Sequence, residues 1–337
     1  MDLRYPLGPF EKYFGNPILS PRGDGWEEKD LFNPAAVVRD GKVFLLYRAE
    51  DASGEGEWHG TSRVGLAASE DGFAFERRPE PILYPTEPYE KPGGCEDPRV
   101  SKVGDTYLMT YTAFDGESAR LCLADSKDLL AWEKHGVMFP EWTGGGDKVW
   151  SKSGAILEEP VGGRYVMYFG DTSIWAANSE DLKNWTPIDE PVFDPSQDPE
   201  AFDSVLVEPG PQPLMTEEGI ILIYNAARRI GGANSPPGAL RYSAGQALLS
   251  KEDPTQVLER AKEPFFTPEE PDEIEGQVDN VVFLEGLARH RETLFLYYGM
   301  ADSKIGVATC RTRRKIPQSA SATTTSTSSP APSAGSS

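Results

Sequence analysis

Two acidic residues stand where their surroundings give them no structural duty. Asp97 lies in Gly93-Gly94-Cys95-Glu96-Asp97-Pro98-Arg99, and Glu208 in Val207-Glu208-Pro209-Gly210-Pro211. An unpaired buried carboxylate is costly, so each needs a partner or a task. Arg48, Arg63 and Arg99 are candidate partners. A purely structural ion-pair network is one reading of such a set. The other is a pocket for a polyhydroxylated ligand. Carboxylates accept hydrogen bonds from sugar hydroxyls, and a carboxylic acid can protonate a glycosidic oxygen.

Other chemistries fare worse. His59, His135 and His290 are scattered, and no His/Cys spacing resembles a zinc site, so neither a metal nor a cofactor is expected. Cys95 sits beside Glu96 and Asp97, whose charges disfavour a thiolate. Gly144-Gly145-Gly146 precedes no helix and lacks the following Lys-Ser or Lys-Thr of a phosphate-binding loop.

The elements that must position these residues repeat. Ala-x-Ser-x-Asp, followed four residues later by an aromatic, recurs at Asp71, Asp128 and Asp181. A period of roughly 55 residues marks one supersecondary unit copied several times. Each unit has an apolar run, a turn such as Asp40-Gly41, Gly104-Asp105 or Gly162-Gly163, and a second run ending in Tyr. Short alternating runs bounded by Gly and Asp are strand and hairpin signals. The closing tyrosines are Tyr47, Tyr111, Tyr168, Tyr224 and Tyr298. The fifth copy stops after three strands, near Cys310. Its missing fourth is at the other end of the chain, where Phe10-Glu11-Lys12 through Asn16-Pro17-Ile18-Leu19 resembles Phe75-Glu76-Arg77 through Glu80-Pro81-Ile82-Leu83. The fold expected is therefore all-β: a five-bladed β-propeller whose ring is closed by an N-terminal strand. A β-sandwich or a solenoid is the alternative. In a propeller the innermost strands converge on one axis, and the copies differ most at the heads of those strands: Asn33, Asp97, Lys152 and Glu208.

Composition bounds the partners. The 337 residues carry a net charge of −21, which argues against nucleic acid and anionic membranes as partners. No apolar run is long enough to span a bilayer, and the start lacks an apolar signal region, so a cytoplasmic protein is expected. Three cysteines make no disulfide framework. Residues 1–315 are expected to form one domain. Residues 316–337, rich in Ser, Thr, Ala and Pro, are expected to be a disordered tail.

Several stretches together resemble glycoside hydrolase family 130: Phe32-Asn33-Pro34-Ala35, Tyr47-Arg48-Ala49, Arg63-Val64-Gly65-Leu66-Ala67, Gly94-Cys95-Glu96-Asp97-Pro98-Arg99, Thr110-Tyr111-Thr112-Ala113 and Tyr298-Gly299-Met300-Ala301-Asp302. The resemblance runs in order from about residue 10 to 310, and it implies a five-bladed propeller acting on β-mannosides. The family includes phosphorylases and inverting β-1,2-mannosidases. Its phosphorylases hold phosphate with a basic cluster that includes a His after the third-blade strand, and Tyr165-Val166-Met167-Tyr168-Phe169-Gly170-Asp171 has none. Trp150 to Ala155, Val207 to Pro211, Ala244 to Leu248 and Glu285-Gly286-Leu287 are similar to the mannosidase branch. That branch places Glu where this chain has Asp171.

The resemblance thus implies an inverting hydrolase of β-1,2-mannosides, with a mannose-containing oligosaccharide as partner. Phosphorolysis, or glycan binding without turnover, is the alternative. Glu208 is the expected base, with Asp171 its partner or replacement. Asp97 is the expected acid, acting directly or through a sugar hydroxyl. Asn33, Arg48, Arg63, Arg99 and Asp302 are expected at the inner sugar, Lys152 and Tyr242 at the outer one or the solvent side, and Glu285 in the pocket, with a rim salt bridge as its alternative.

Overall fold

The computed structural model describes residues 3–54, 60–144, 146–231 and 238–311. The expected tail lies outside these residues, as does His59. The fold is all-β, with four hydrogen-bonded sheets, none closed on itself. The largest divides into two antiparallel groups, Asp30–Arg39 to Glu76–Arg77 and Gly94–Val103 to Glu133–Val137. A single parallel bridge, Ser62 to Gly94, joins them. The described residues therefore form five groups of successive antiparallel strands. The third spans Ala155–Ile156 to Thr186–Pro187, and the fourth Leu206–Pro209 to Val257–Arg260.

The fifth group holds Val282–His290, Thr293–Met300 and Lys304–Arg311. Its outer strand comes from the other end of the chain: Glu11–Lys12 pairs antiparallel with Thr309 and Ala308. Leu19 bridges Ile305 further along.

The repeated Ala-x-Ser-x-Asp is a turn lock. Ser69 Oγ accepts the Gly72 amide at 2.8 Å, and Asp71 Oδ1 accepts the amides of Phe73 and Ala74 at 2.8 and 2.9 Å. The same bonds recur at Ser126 and Asp128, and at Ser179 and Asp181. Side chains that bond their own downstream amides favour turns over a continuing strand. The lock holds a left-handed residue three places after the serine. Gly72 takes that position easily, whereas Leu129 and Leu182 adopt it at φ 66° against the usual steric preference.

All five tyrosines are fully buried, and each phenol has a partner, as buried Tyr requires. Tyr47 donates to Glu27, Tyr111 to Glu90, Tyr224 to Asp203 and Tyr298 to Glu273, all buried carboxylates; Tyr168 donates to the Pro254 carbonyl. Each carboxylate also meets a cation from the outermost strand of its group: Arg77, Lys134, Arg260 and Lys12 respectively. Lys12 thus does for the fifth group what a locally encoded residue does for the others. Opposite three of the tyrosines stands a glycine: Gly65 faces Tyr47, Gly245 faces Tyr224 and Gly306 faces Tyr298. A Cβ at these positions would come within 2.4–2.6 Å of the ring.

The apolar core is divided between the groups rather than gathered in one place. One cluster joins the first and second groups through Leu46, Val64, Met109 and Tyr111. Others join the second and third, the third and fourth, and the fourth and fifth. A fifth cluster packs Tyr297 and Val307 of the last group against Leu45 and Tyr47 of the first.

Candidate active site

Two strands approach the site in the same way. The first strand of group one is bulged between Phe32 and Pro34, and that of group two between Glu96 and Arg99. Asn33 and Asp97 occupy the bulges, each at φ 48° and each followed by proline. A residue before proline ordinarily prefers extended backbone, and strained positions of this kind cluster where side chains must be aimed. Asn33 Nδ2 donates to Asp97 Oδ1 at 2.9 Å.

Arg48 organises the carboxylates. Its guanidinium bonds Glu50 at 2.6 Å, Glu96 at 3.1 Å and Asp97 at 3.2 Å, and lies 4.7 Å over the Phe32 ring. Lys152 Nζ stands 3.8 Å from the other oxygen of Asp97. Glu208, 6% exposed, accepts a hydrogen bond from Ser153 and has Arg99 at 3.8 Å. Asn33, Arg48, Glu96, Asp97, Lys152 and Glu208 open on a cavity of about 350 Å³ that also meets Tyr242, Asp302 and the rings of Phe114, Trp150 and Phe283. This is the size range of ligand pockets.

Four carboxyls and two cations line that cavity, and they do not titrate alike. Burial would raise Asp97, but Arg48, Lys152 and the Asn33 hydrogen bond outweigh it and hold it at about 2. Burial prevails at Glu208, against Lys152 and Arg99, and lifts it to about 7. Glu96 and Asp302 are likewise lifted to about 7 by burial, with Arg48 opposing and Asp97 adding to the rise. Asp97 is therefore ionised at neutral pH and can accept from hydroxyls. Glu208 is poised to take or give a proton there.

The cavity brings together Asn33, Asp97, Arg48, Lys152, Glu208, Tyr242 and Asp302. Four expected members lie elsewhere. Arg63 is not in the cavity lining and pairs with Asp51 at 2.6 Å. Arg99 and Glu285 sit behind the wall, 3.1 Å apart, where Arg99 also bonds the carbonyls of Pro209 and Gly210. Glu285 is wholly buried, which pushes its carboxyl well above the usual range. Asp171 lines a second cavity and accepts the Trp150 indole N–H at 2.6 Å, yet stays near enough for its charge to act on Lys152 and Glu208. Gly170, at φ 116°, bends the chain there.

Glu96 was missed. The only signal for it was its place beside Asp97, because in a regular strand the two would point to opposite faces. Cys95 packs away from the cavity, and burial, reinforced by Glu90, pushes its thiol up. Among the described residues no group of His, Cys, Asp and Glu could hold a metal.

Four carboxyls gathered at one cavity of an all-β chain suit a protein that handles carbohydrate. A family model described as beta-1,4-mannooligosaccharide phosphorylase matches residues 12–316, and the chain belongs to that family, glycoside hydrolase family 130. The 1,2-beta-oligomannan phosphorylase of Thermoanaerobacter sp. (strain X514) is 38% identical over 301 residues, which cover 87% of this chain and 94% of the relative. A beta-1,2-mannobiose phosphorylase of the same organism is 35% identical over 304 residues, covering 87% and 94%. One solved structure, 40% identical with a TM-score of 0.84, covers 91% of this chain and 95% of its own. Its description reads that the GH130 family of mannoside phosphorylases contains glycoside hydrolases that target beta-1,2 mannosidic linkages in Candida mannan.

Proposed function

We propose that this chain cleaves β-1,2-linked mannosides with inversion at the anomeric carbon, and that inorganic phosphate is the acceptor. The observation that carries the mannoside reading is Asp97, held ionised between Asn33, Arg48 and Lys152 at the cavity of a family 130 chain. The acceptor rests on the relatives: the family description and both Thermoanaerobacter proteins are phosphorylases. Phosphorolysis therefore moves ahead of hydrolysis, which the sequence put first.

In this reading a phosphate oxygen attacks the anomeric carbon, the glycosidic C–O bond breaks, and the departing oxygen takes a proton. The products are α-mannose 1-phosphate and the shortened mannoside. Ionised Asp97 is not the acid: it accepts a hydrogen bond from a sugar hydroxyl and holds the ring. Glu208, raised to about 7, gives the leaving oxygen its proton and is left as the carboxylate, and Lys152 offers the cation nearest an incoming dianion.

Hydrolysis is a second reading, favoured by the excess of carboxyls over cations around Lys152 and by the words describing the 40% identical structure. Incubation with β-1,2-mannobiose, with and without phosphate, separates the two. Phosphate-dependent mannose 1-phosphate supports the first reading; mannose formed without phosphate overturns it. We also propose that the five strand groups close into a five-bladed propeller. The five core clusters support this, since the last of them packs group five against group one.

A further inference from the structure

Glu208 is held at one oxygen only. Ser153 donates to its Oε1, and the Arg99 guanidinium stands 3.8 Å from the same atom. Oε2 takes no hydrogen bond among the described residues, yet it is not sealed in the wall as both oxygens of Glu285 are. The serine that holds Oε1 is itself fixed. Ser153 is buried and left-handed at φ 61°. On one side the Gly170 amide donates to the Lys152 carbonyl at 2.9 Å, and the Ser151 hydroxyl accepts the Leu121 amide at 2.9 Å. On the other, Thr110 donates to the Gly154 carbonyl. A left-handed serine is strained, and strain of this kind gathers where a side chain must be aimed.

We infer that Ser153 is a positioning residue for Glu208: by occupying Oε1 it leaves Oε2 to carry the transferable proton toward the substrate. The inference rests on the mannoside reading above. When the proton passes to the leaving oxygen, the O–H bond of Oε2 breaks and its electron pair stays on Glu208. The Ser153 hydrogen bond is then made to a full charge and strengthens, so it favours the transition state over the bound substrate. Lys152 and Arg99 favour the carboxylate in the same sense, and Asp171 opposes it. Glu285 and Tyr242 also stand within electrostatic reach of Glu208.

The test measures the pH profile of kcat/KM for β-1,2-mannobiose, with phosphate, in the wild type, Ser153→Ala and Ser153→Gly. Glycine takes the left-handed backbone without strain, so the second variant stands in if the first folds poorly. Both variants lose a donor that favours the carboxylate. The midpoint should move up from about 7 to about 8, and kcat should fall about tenfold with KM little changed. The upward move holds whether Glu208 gives a proton or takes one. A midpoint left in place in Ser153→Gly overturns the inference and leaves the mannoside reading standing, since a merely structural serine would change stability without moving it. If wild type turns over no mannoside, that reading fails, and the titration of Glu208 decides instead. Carbon-13 NMR of labelled glutamate carboxyls follows it, assigned by the signal that Glu208→Gln removes. A higher midpoint in Ser153→Gly supports the inference, and an equal one overturns it.

Discussion

Asn33 and Asp97 hold the same position in neighbouring strand groups, left-handed at φ 48° before a proline, and their side chains meet at 2.9 Å. The match is geometric as well as chemical. Each bulge turns one side chain out of the sheet's alternation and toward the other. The amide also helps Arg48 and Lys152 keep the carboxylate charged.

Removing either member should cost turnover more than stability. Asn33→Ala deletes a hydrogen bond to a charged group, worth about 1.5–3 kcal/mol, so kcat/KM should fall roughly 10- to 100-fold. Asp97→Asn should lose far more, since the amide cannot draw on a sugar hydroxyl as a carboxylate does. Steady-state kinetics beside urea unfolding checks both.

The pH profile should report Glu208. Its carboxyl is lifted to about 7, so if it supplies a proton, kcat/KM falls as pH rises through about 7. If it activates water as a base, kcat/KM rises through the same range, and phosphorolysis loses its support. Stability carries a sign too. A carboxyl raised above its unfolded value binds more protons in the folded state, so stability falls as pH rises from about 4.5 to 7. Glu208→Gln should abolish turnover and take up to about 3 kcal/mol out of that slope, leaving the share of Glu96 and Asp302, which are lifted to about 7 as well. Unfolding midpoints of the two proteins at pH 5 and pH 8 give the comparison.

Tyr224 and its facing glycine should tolerate little. A Cβ on Gly245 would lie 2.4 Å from the ring and 2.8 Å from Phe202. Gly245→Ala should destabilise by about 1–3 kcal/mol, the usual cost of overpacking, and Gly245→Val should fail to fold. The same change at exposed Gly41, where a Cβ meets nothing but φ is 77°, should cost only the backbone term of about 1 kcal/mol. Urea denaturation ranks the variants.

Lys12→Ala should destabilise the whole chain, although it lies near the terminus. Glu273 is fully buried and loses its cation at 2.7 Å. Leaving such a charge unpaired costs about 3 kcal/mol. Lys12→Met with Glu273→Gln should recover part of the loss, which a double-mutant cycle measures.

Much of this was legible in the sequence because it repeats. The Ser and Asp of each turn, the closing tyrosines and the likeness of Phe10-Glu11-Lys12 to Phe75-Glu76-Arg77 all follow from one unit needing the same bonds each time. The gathering of Asn33, Asp97, Lys152 and Glu208 was readable as the places where copies diverge. Sidedness was not. A bulge puts Glu96 in the cavity against strand alternation. Arg63 and Asp171 were read from motif position, yet a nearby Asp51 and Trp150 capture them. Arg99 and Glu285 stand 3.1 Å apart behind the wall, and no spacing in the sequence shows which side of it a strand head will present.

The strand carrying Lys12 has a consequence for how the molecule is made and handled. Residues 11 and 12 leave the ribosome long before their partners at 308 and 309 are translated. Until then the opening segment has no mate, and the edge it will cover does not exist. Folding during synthesis can finish four strand groups but must wait for the final one. An affinity tag or a trimmed leader placed hard against Glu11 therefore interferes with the closing step, whereas a break at a turn such as Gly162-Gly163 leaves that step untouched.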